Sequence, residues 1–273
     1  MGEAMKILGV DTSTSIGSVG LIDDGAVVAE HTLDITQAHS ARLMPTIDQV
    51  LKWANMTAHD LDACAVGLGP GSFTGIRIGV GTIKTLCYAL GKPIVGVSTL
   101  EAIAFGLHFT DRCICTVLDA RRGEVYGAIF QTGHRQARVS PLDNFPPYQG
   151  GTEGGIALHG GGKPPPPAPP YQGGELLPPA GLGRLERLSD DQCVSIDALL
   201  NQVKPPALFV GDGLWRYGEV VRQRFGESVE FAEPLFNIPR GATIAWLGHQ
   251  RLQRGEADDA FSIVPNYVRQ RVT

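Results

Sequence analysis

The order of apolar and polar positions divides the chain into two similar series of predicted elements. The first series contains strands over 6–10, 17–22 and 27–33, a helix over 39–54, a strand over 61–66, a helix over 72–90, a strand over 93–97 and a helix through 101–104. The second contains strands over 112–118 and 124–130, a helix from 195, a strand over 207–210, a helix reaching 225 and a last helix from 239 to 255. The pattern predicts an α/β fold of two related lobes, each βββαβα.

The domain boundaries follow from this repetition. We expect an N-terminal lobe over 1–110 and a C-terminal lobe over 111–273. A segment rich in proline and glycine, over about 145–183, interrupts the second lobe and contains Pro-Pro-Tyr-Gln-Gly-Gly twice, at 146–151 and 169–174. This composition favours coil or polyproline helix, so we expect a disordered surface insertion. A docking segment for a proline-binding domain is the alternative, and the role of the segment stays open.

The predicted helix over 72–90 has two apolar stripes. One stripe contains Ile76, Val80, Ile83, Cys87 and Leu90, and the other contains Gly75, Gly79, Thr82 and Leu86. Each interior glycine costs about 1 kcal/mol relative to alanine, which close approach of another backbone would offset. We therefore predict that one stripe faces the sheet and the glycine stripe faces a second molecule, while Arg77, Lys84, Thr85 and Tyr88 face solvent. The alternative is a helix of a three-layer domain with no partner.

The residues before this helix do not match common catalytic loops. A P-loop needs lysine directly after its second glycine, and in the stretch that begins at Gly67 no lysine occurs until Lys84. A nucleophile elbow needs glycine two residues on either side of the serine, where Ser72 has Pro70 and Thr74. Anion binding at the free amides after Pro70 stays open.

Composition restricts the function further. The chain has 273 residues and a net charge of −5, so it has no overall field that would attract RNA, and we expect tRNA contact only through a partner. The five cysteines form no CxxC pair, which indicates free thiols. No apolar run reaches the ~18 residues of a membrane span. We expect a cytoplasmic protein without membrane contact.

Each predicted lobe opens with a strand that ends in an aspartate, Asp11 in one and Asp119 in the other. Both carboxylates would lie in the cleft between the lobes. This arrangement resembles the sugar kinase, Hsp70 and actin superfamily, in which such residues hold metal and water around nucleotide phosphates, and the resemblance implies nucleotide binding. The candidate nucleotide-binding residues are Asp11, Thr12, Ser13, Asp119, Gly211 and Gly213. In the alternative interpretation, both aspartates only cap turns by accepting from neighbouring amides.

Gly69-Pro-Gly-Ser-Phe-Thr-Gly-Ile-Arg77 resembles the signature of the TsaB family of bacterial tRNA threonylcarbamoyladenosine synthesis. The resemblance runs from Met5 to about Ala104 and resumes at 118–126 and 265–269. It implies a two-lobe fold of the actin-like ATPase (ribonuclease H-like) class. It also implies a non-catalytic subunit that pairs with the catalytic paralogue TsaD, or with itself, and helps recruit the ATPase TsaE for threonylcarbamoyl transfer to adenosine 37 of tRNA.

The resemblance also implies which residues act. Partners would bind the first two helices, at His39, Leu43, Ile47, Phe73, Gly75, Ile78, Gly79, Thr82 and Leu86. The paralogue carries two metal-binding histidines where this chain has Thr99 and Ile103, so no metal and no catalytic residue is expected. No cofactor of its own is expected, although ATP or ADP could lie at the shared interface. The alternative is an independent ATP-dependent kinase or acyltransferase of the same superfamily.

Overall fold

The computed structural model describes residues 5–34, 39–133 and 184–268, without the side chains of 39–41. These residues form one compact unit. The predicted insertion at 145–183, with both of its repeats, lies outside the described residues, so its disorder stays a prediction. Within the described ranges, no helix combines the length and the apolar character that a bilayer crossing requires.

The first sheet has five strands in the order β3-β2-β1-β4-β5. Its strands are β1 (Lys6–Asp11), β2 (Ile16–Asp23), β3 (Ala26–Asp34), β4 (Ala63–Gly67) and β5 (Ile94–Val97). Strands β1, β2 and β3 are antiparallel, whereas β1, β4 and β5 are parallel. Three helices belong to this half of the chain: α1 (His39–Trp53), α2 (Phe73–Leu90) and α3 (Thr99–Phe105).

The second sheet repeats the same order, β11-β10-β6-β7-β8, with β9 also paired to β7. Its strands are β6 (Cys113–Arg121), β7 (Glu124–Thr132), β8 (Leu185–Arg187), β9 (Gln192–Ser195), β10 (Ala207–Val210) and β11 (Val229–Phe231). The helices of this half of the chain are α4 (Ile196–Leu200), α5 (Leu214–Phe225) and α6 (Gly241–Gln253). Strands β8 and β9 pair with opposite ends of β7, so together they replace the third strand.

The helices are exchanged between the two sheets. Helices α1 and α2 cover one face of the first sheet, and α6 covers its other face through Ala242, Ala245 and Leu247. Helix α3 packs against the second sheet, where Leu100 and Ile103 are buried, and α4 and α5 cover the opposite face. Because α3 also contacts α6, the two helices form a layer between the sheets.

Glycines allow α6 to begin directly on the first sheet. A Cβ added at Gly9 would lie 2.1 Å from the Gly241 carbonyl oxygen, and one added at Gly20 would lie 2.1 Å from the Ala242 nitrogen. Ser18 Oγ accepts from the Gly241 amide at 2.9 Å, and Glu30 accepts from the Ala242 amide at 3.0 Å. Side chains of the sheet therefore accept from two of the free amides in the first turn of α6.

The structure confirms the repeated βββαβα pattern and adds elements that the sequence did not reveal. The short strands β8, β9 and β11 were not predicted. The predicted C-terminal lobe, 111–273, contains α6, yet α6 packs on the sheet of the first half. The domain boundaries at 1–110 and 111–273 stay a prediction.

Candidate functional site

Helix α2 follows the predicted start and the predicted inner face. It begins after Ser72, whose hydroxyl oxygen accepts from the Gly75 amide at 3.3 Å, and it ends at Gly91 in the left-handed conformation with φ 65°. Ile76, Val80, Ile83 and Cys87 are buried against the first sheet, as their spacing predicted. Helix α2 also contacts α1 on the same side of the sheet.

The glycine stripe of α2 is covered by the chain itself. Thr12, in the turn between β1 and β2, donates its hydroxyl to the Gly75 carbonyl oxygen at 2.7 Å. A Cβ added at Gly79 would lie 2.3 Å from Thr12 Oγ1. The interpretation that a second molecule contacts Gly75 and Gly79 is therefore wrong, because both glycines are buried within the chain. At Gly79 the close approach of Thr12 leaves no room for a side chain.

A third glycine of α2 has no such explanation. Gly81 is exposed, and a Cβ added there would meet nothing within 4 Å. It lies four residues from Arg77 and four from Thr85, so the three residues form one row along the exposed face of the helix. Phe73, half exposed at 53%, begins this row. At the centre of this row the helix therefore exposes its backbone without a side chain.

The nine predicted partner-binding residues differ in their exposure. Four are buried inside the chain, namely Leu43, Ile47, Gly75 and Gly79, and cannot be contacted directly. Ile78, Thr82 and Leu86 are half-buried and Phe73 is exposed, whereas the side chain of His39, at the first position of α1, lies outside the described residues. The outer face of α1 adds Met44 and Trp53, which are 47% and 54% exposed. The resemblance had placed Leu43 and Ile47 at the interface, but their apolar spacing is that of the core-facing side of a helix, where both are buried.

A C-terminal segment, residues 260–268, borders the exposed face of α2. The Lys84 ammonium group donates to the Phe261 carbonyl oxygen at 2.7 Å. The Tyr88 ring packs edge-on against Phe261, with centroids 5.2 Å apart, and the Phe73 ring lies 5.4 Å from that of Tyr267. Lys84, predicted to face solvent, is therefore half-buried and holds this segment in place.

Asp11 lies at the end of β1 with its carboxylate fully buried. Its Oδ1 accepts from the Ser13 amide at 2.8 Å and from the Ser13 hydroxyl at 2.6 Å, and its Oδ2 accepts from the Thr99 hydroxyl at 2.7 Å. Burial raises the pKa of the Asp11 carboxyl, and these hydrogen bonds offset part of the increase. Gly67 approaches so closely that an added Cβ would lie 2.0 Å from Oδ2.

Asp119 occupies the matching place near the end of β6. Its carboxylate accepts from the Arg121 amide at 2.9 Å, and its own amide donates to Asp212 at 3.0 Å. Gly211 and Gly213 both pack against the backbone of Val117. Both aspartates thus make the turn-capping bonds of the alternative interpretation. Nucleotide binding by Asp11, Thr12, Ser13, Asp119, Gly211 and Gly213 stays a prediction.

Sequence reasoning missed Asp191, which connects three parts of the chain. It lies in the short segment between β8 and β9, and its side chain is only 5% exposed. Its carboxylate accepts from the Ser98 hydroxyl at 2.8 Å, from Arg187 at 2.5 Å and from the Asn266 amide group at 3.0 Å. Ser98 caps α3, so Asp191 connects the start of α3 to the second sheet and to the C-terminal segment. Only the Pro265-Asn-Tyr-Val-Arg269 motif hinted at this site.

A cleft of about 1240 Å³ opens beside this network. Its walls include Phe73, Arg77, Arg122, Asp191 and Tyr267. None of the six predicted nucleotide-binding residues lines it. Among the residues that the structure describes, no group of three or more histidine, cysteine, aspartate or glutamate side chains is arranged to hold a metal ion.

Two sheets of the same strand order, with helices exchanged between them, define a two-lobe protein of the actin-like class. YeaZ from Pseudomonas aeruginosa has a similar fold, with a TM-score of 0.66 and 23% identity over 96% of this chain and 99% of that one. A second Pseudomonas aeruginosa structure, of an uncharacterized protein with similarity to peptidase YeaZ, gives a TM-score of 0.68 and 22% identity over 97% and 100%.

Sequence comparison identifies the family. The protein "tRNA threonylcarbamoyladenosine biosynthesis protein TsaB" of Bacillus subtilis is 30% identical over 269 residues, which are 97% of this chain and 94% of the relative. The Escherichia coli protein of the same name is 40% identical over 129 residues, 46% of this chain and 55% of that protein. The family model "TsaD: tRNA N6-adenosine threonylcarbamoyltransferase" matches residues 27–143. The chain belongs to the TsaB family.

Proposed function

We propose that this protein is a non-catalytic subunit of tRNA threonylcarbamoyladenosine synthesis in the cytoplasm. It pairs with a catalytic paralogue of the TsaD family through the outer faces of α1 and α2, and it helps recruit a TsaE-type ATPase. The names of the Bacillus subtilis and Escherichia coli relatives support the pathway. A homodimer through the same face is the competing assembly.

The observation that carries the pairing is the exposed Gly81. A mid-helix glycine costs about 1 kcal/mol relative to alanine, and no contact within the described residues requires it. A second backbone lying across α2 would require it, because a side chain at that point would hold the two helices apart. The half-exposed Phe73 and Trp53 supply apolar area on α2 and α1 for such a contact.

The similarity to the partner family supports the same face. The match to the TsaD family model covers residues 27–143 and therefore includes both α1 and α2. In a two-fold symmetric homodimer, both subunits use the same surface. A paralogue with the same two helices can present a similar surface to this chain. Pairing with the paralogue would then use the same face of this chain as pairing with a second copy of itself.

The proposal of a non-catalytic role is supported by the two positions, 99 and 103, at which the resemblance implies metal-binding histidines in the paralogue. Thr99 is fully buried and donates its hydroxyl to Asp11, and Ile103 is 2% exposed within the core of the second sheet. Both residues are used for internal packing. ATP or ADP at the shared interface is part of the proposal, and it would contact exposed residues rather than the buried Asp11.

The test is co-purification of the tagged chain with the TsaD paralogue of the same organism. Gly81→Arg is expected to abolish the complex while the circular dichroism spectrum of the isolated chain stays unchanged, because a Cβ at this exposed position meets no atom within 4 Å. Gln223→Arg, which places the same side chain on the exposed face of α5, is the matched control and is expected to pair normally. Native stoichiometry with Gly81→Arg would contradict the proposed face.

A second measurement addresses the enzymatic alternative. Magnesium ATP is titrated against the isolated chain and its Asp11→Ala variant. We expect no turnover by the isolated chain. Micromolar binding with turnover that is lost in Asp11→Ala would replace the subunit proposal with an ATP-dependent kinase or acyltransferase.

A further inference from the structure

The C-terminal segment, residues 260–268, is fixed to the rest of the chain although it forms no helix or strand. Its Ile263 is 8% exposed and belongs to the core beneath α1 and α2. The Lys84 ammonium group donates to the carbonyl oxygens of Phe261 at 2.7 Å and of Ile263 at 3.4 Å. The backbone amide of Asn266 donates to a carbonyl oxygen directly after β4, at 2.8 Å. The segment therefore follows a defined path beside α2.

The side chains between these anchors are exposed. Phe261 is 72% exposed, Val264 is 63% exposed and Tyr267 is 52% exposed. Single apolar side chains are common on protein surfaces, whereas a contiguous apolar group in fixed positions marks an interaction site. Because Ile263 and Asn266 hold the backbone, the three exposed side chains cannot turn inward unless these anchors break.

The exposed side chains of the segment continue onto α2. The Tyr88 ring, itself 66% exposed, packs edge-on against Phe261, with centroids 5.2 Å apart, and the Phe73 ring lies 5.4 Å from that of Tyr267. Tyr88 follows Gly81 by seven residues, so the two lie two turns apart on the outer face of the helix. We name this group the apolar strip; its members are Phe73, Tyr88, Phe261, Val264 and Tyr267.

The outer faces of α1 and α2 alone are small for a stable interface. Interfaces of standard size use about 20–30 residues of each partner. Twelve of the 18 residues of α2 are not buried, and seven of residues 42–53 in α1 are exposed. Residues all round a helix cannot face one partner, so the two helices reach this range only with additional surface. The C-terminal segment, which lies beside α2, supplies such surface.

We propose that the apolar strip is the third element of the pairing face, and that the TsaD paralogue contacts it together with α1 and α2. The inference rests on the proposed function and extends it to the C-terminal segment. The strip and the outer face of α2 share Phe73 and Tyr88, so they form one surface and meet the same partner. The paralogue must then present apolar side chains at this point, because Phe261 and Val264 offer no charge to pair with.

The test is the dissociation constant of the complex between the full chain and the TsaD paralogue of the same organism, measured by biolayer interferometry. Phe261→Ser and Val264→Ser are each expected to weaken binding about tenfold, because each removes an apolar side chain from the contact. Phe109→Ser and Leu235→Ser are the matched controls and should bind like the wild type, since these residues are 55% and 66% exposed elsewhere on the chain. Thermal unfolding of the four variants checks that each is folded.

Cross-linking detects the contact without relying on the stability of a variant. Photoreactive benzoylphenylalanine in place of Val264 is expected to cross-link to the paralogue in the complex. The same group in place of Leu235, which is similarly exposed, is expected to give no cross-link.

Several outcomes would overturn the proposal. Wild-type affinity of Phe261→Ser and Val264→Ser, with Gly81→Arg still unable to pair, would reject the apolar strip and leave the proposed function intact. Equal losses in the two controls would indicate unspecific apolar adhesion. A cross-link from position 264 to a second copy of this chain, or to its own residues, would assign the strip to that occupant instead. Failure of the wild-type chain to bind the paralogue would reject the proposed function itself.

Discussion

The Thr12 hydroxyl donates a hydrogen bond to the carbonyl oxygen of Gly75, at 2.7 Å, and so joins the turn after β1 to the first turn of α2. The two residues are 63 positions apart in the chain. The same threonine approaches Gly79 so closely that no side chain fits there, whereas Gly81, on the outer row of α2, stays exposed.

The first prediction concerns Gly79. Gly79→Ala is expected to destabilise the protein by about 1–2 kcal/mol although alanine favours helix, because the new Cβ would lie 2.3 Å from Thr12 Oγ1. In a Thr12→Ala background most of this penalty should disappear. Urea unfolding of the four proteins of the double-mutant cycle measures the coupling. Additive effects would mean that Thr12 does not explain the glycine.

The second prediction concerns Gly81 in the isolated chain. Gly81→Ala is expected to stabilise the protein by about 1 kcal/mol, since the new methyl group meets no atom and alanine is the better helix former. The expected changes in the free energy of unfolding thus have opposite signs for Gly79→Ala and Gly81→Ala, so the two variants of one helix control for each other. Thermal unfolding of both variants provides the measurement, and destabilisation by Gly81→Ala would show an unrecognised contact.

The third prediction concerns Asp191. Asp191→Ala is expected to cost about 2 kcal/mol, because a nearly buried carboxylate that accepts from Ser98, Arg187 and Asn266 is lost. The partial exposure of Arg187 keeps this figure below that of a fully buried ion pair. Asp190→Ala, at the exposed neighbouring residue, is the control and should change the free energy of unfolding little. Equal destabilisation by Asp191→Ala and Asp190→Ala would contradict the conclusion that the hydrogen bonds of Asp191 stabilise the fold.

The fourth prediction concerns pH. Burial lowers the pKa of His249 on α6 below its ordinary value of 6.5, with Asp24 opposing the shift. The unfolded chain then binds the proton more readily than the folded one, so stability is lost as pH falls below about 6.5. His249→Phe should flatten the dependence of unfolding free energy on pH in this window. His59→Gln, at an exposed histidine, should leave it unchanged.

The periodic features of the fold could be predicted from the sequence, because they depend on local spacing. Helix α2 begins after Ser72 and buries Ile76 and Val80, as its pattern indicated. The strand–turn–strand around Arg121 was also predicted correctly. Such features require only the residues within one or two turns of themselves.

Other features depended on residues distant in the chain and could not be predicted. The cost of a helical glycine is visible in the sequence, but the residue that compensates for it is not, so Thr12 was missed as the neighbour of Gly79. Strands β8 and β9 are three and four residues long and acquire their conformation by pairing with β7. The role of Asp191 depends on the segment between β8 and β9, which brings its carboxylate to Ser98, 93 positions away in the chain.

The position of α6 has a consequence for biosynthesis. Ile7 and Ile22 pack against a helix that begins at Gly241, so one side of the first sheet stays uncovered until that helix has been translated and has left the ribosome. Strands β1 and β2 are therefore completed only after α6 has emerged. Emergence of α6, rather than of the strands themselves, sets the earliest moment at which a partner can find a finished surface.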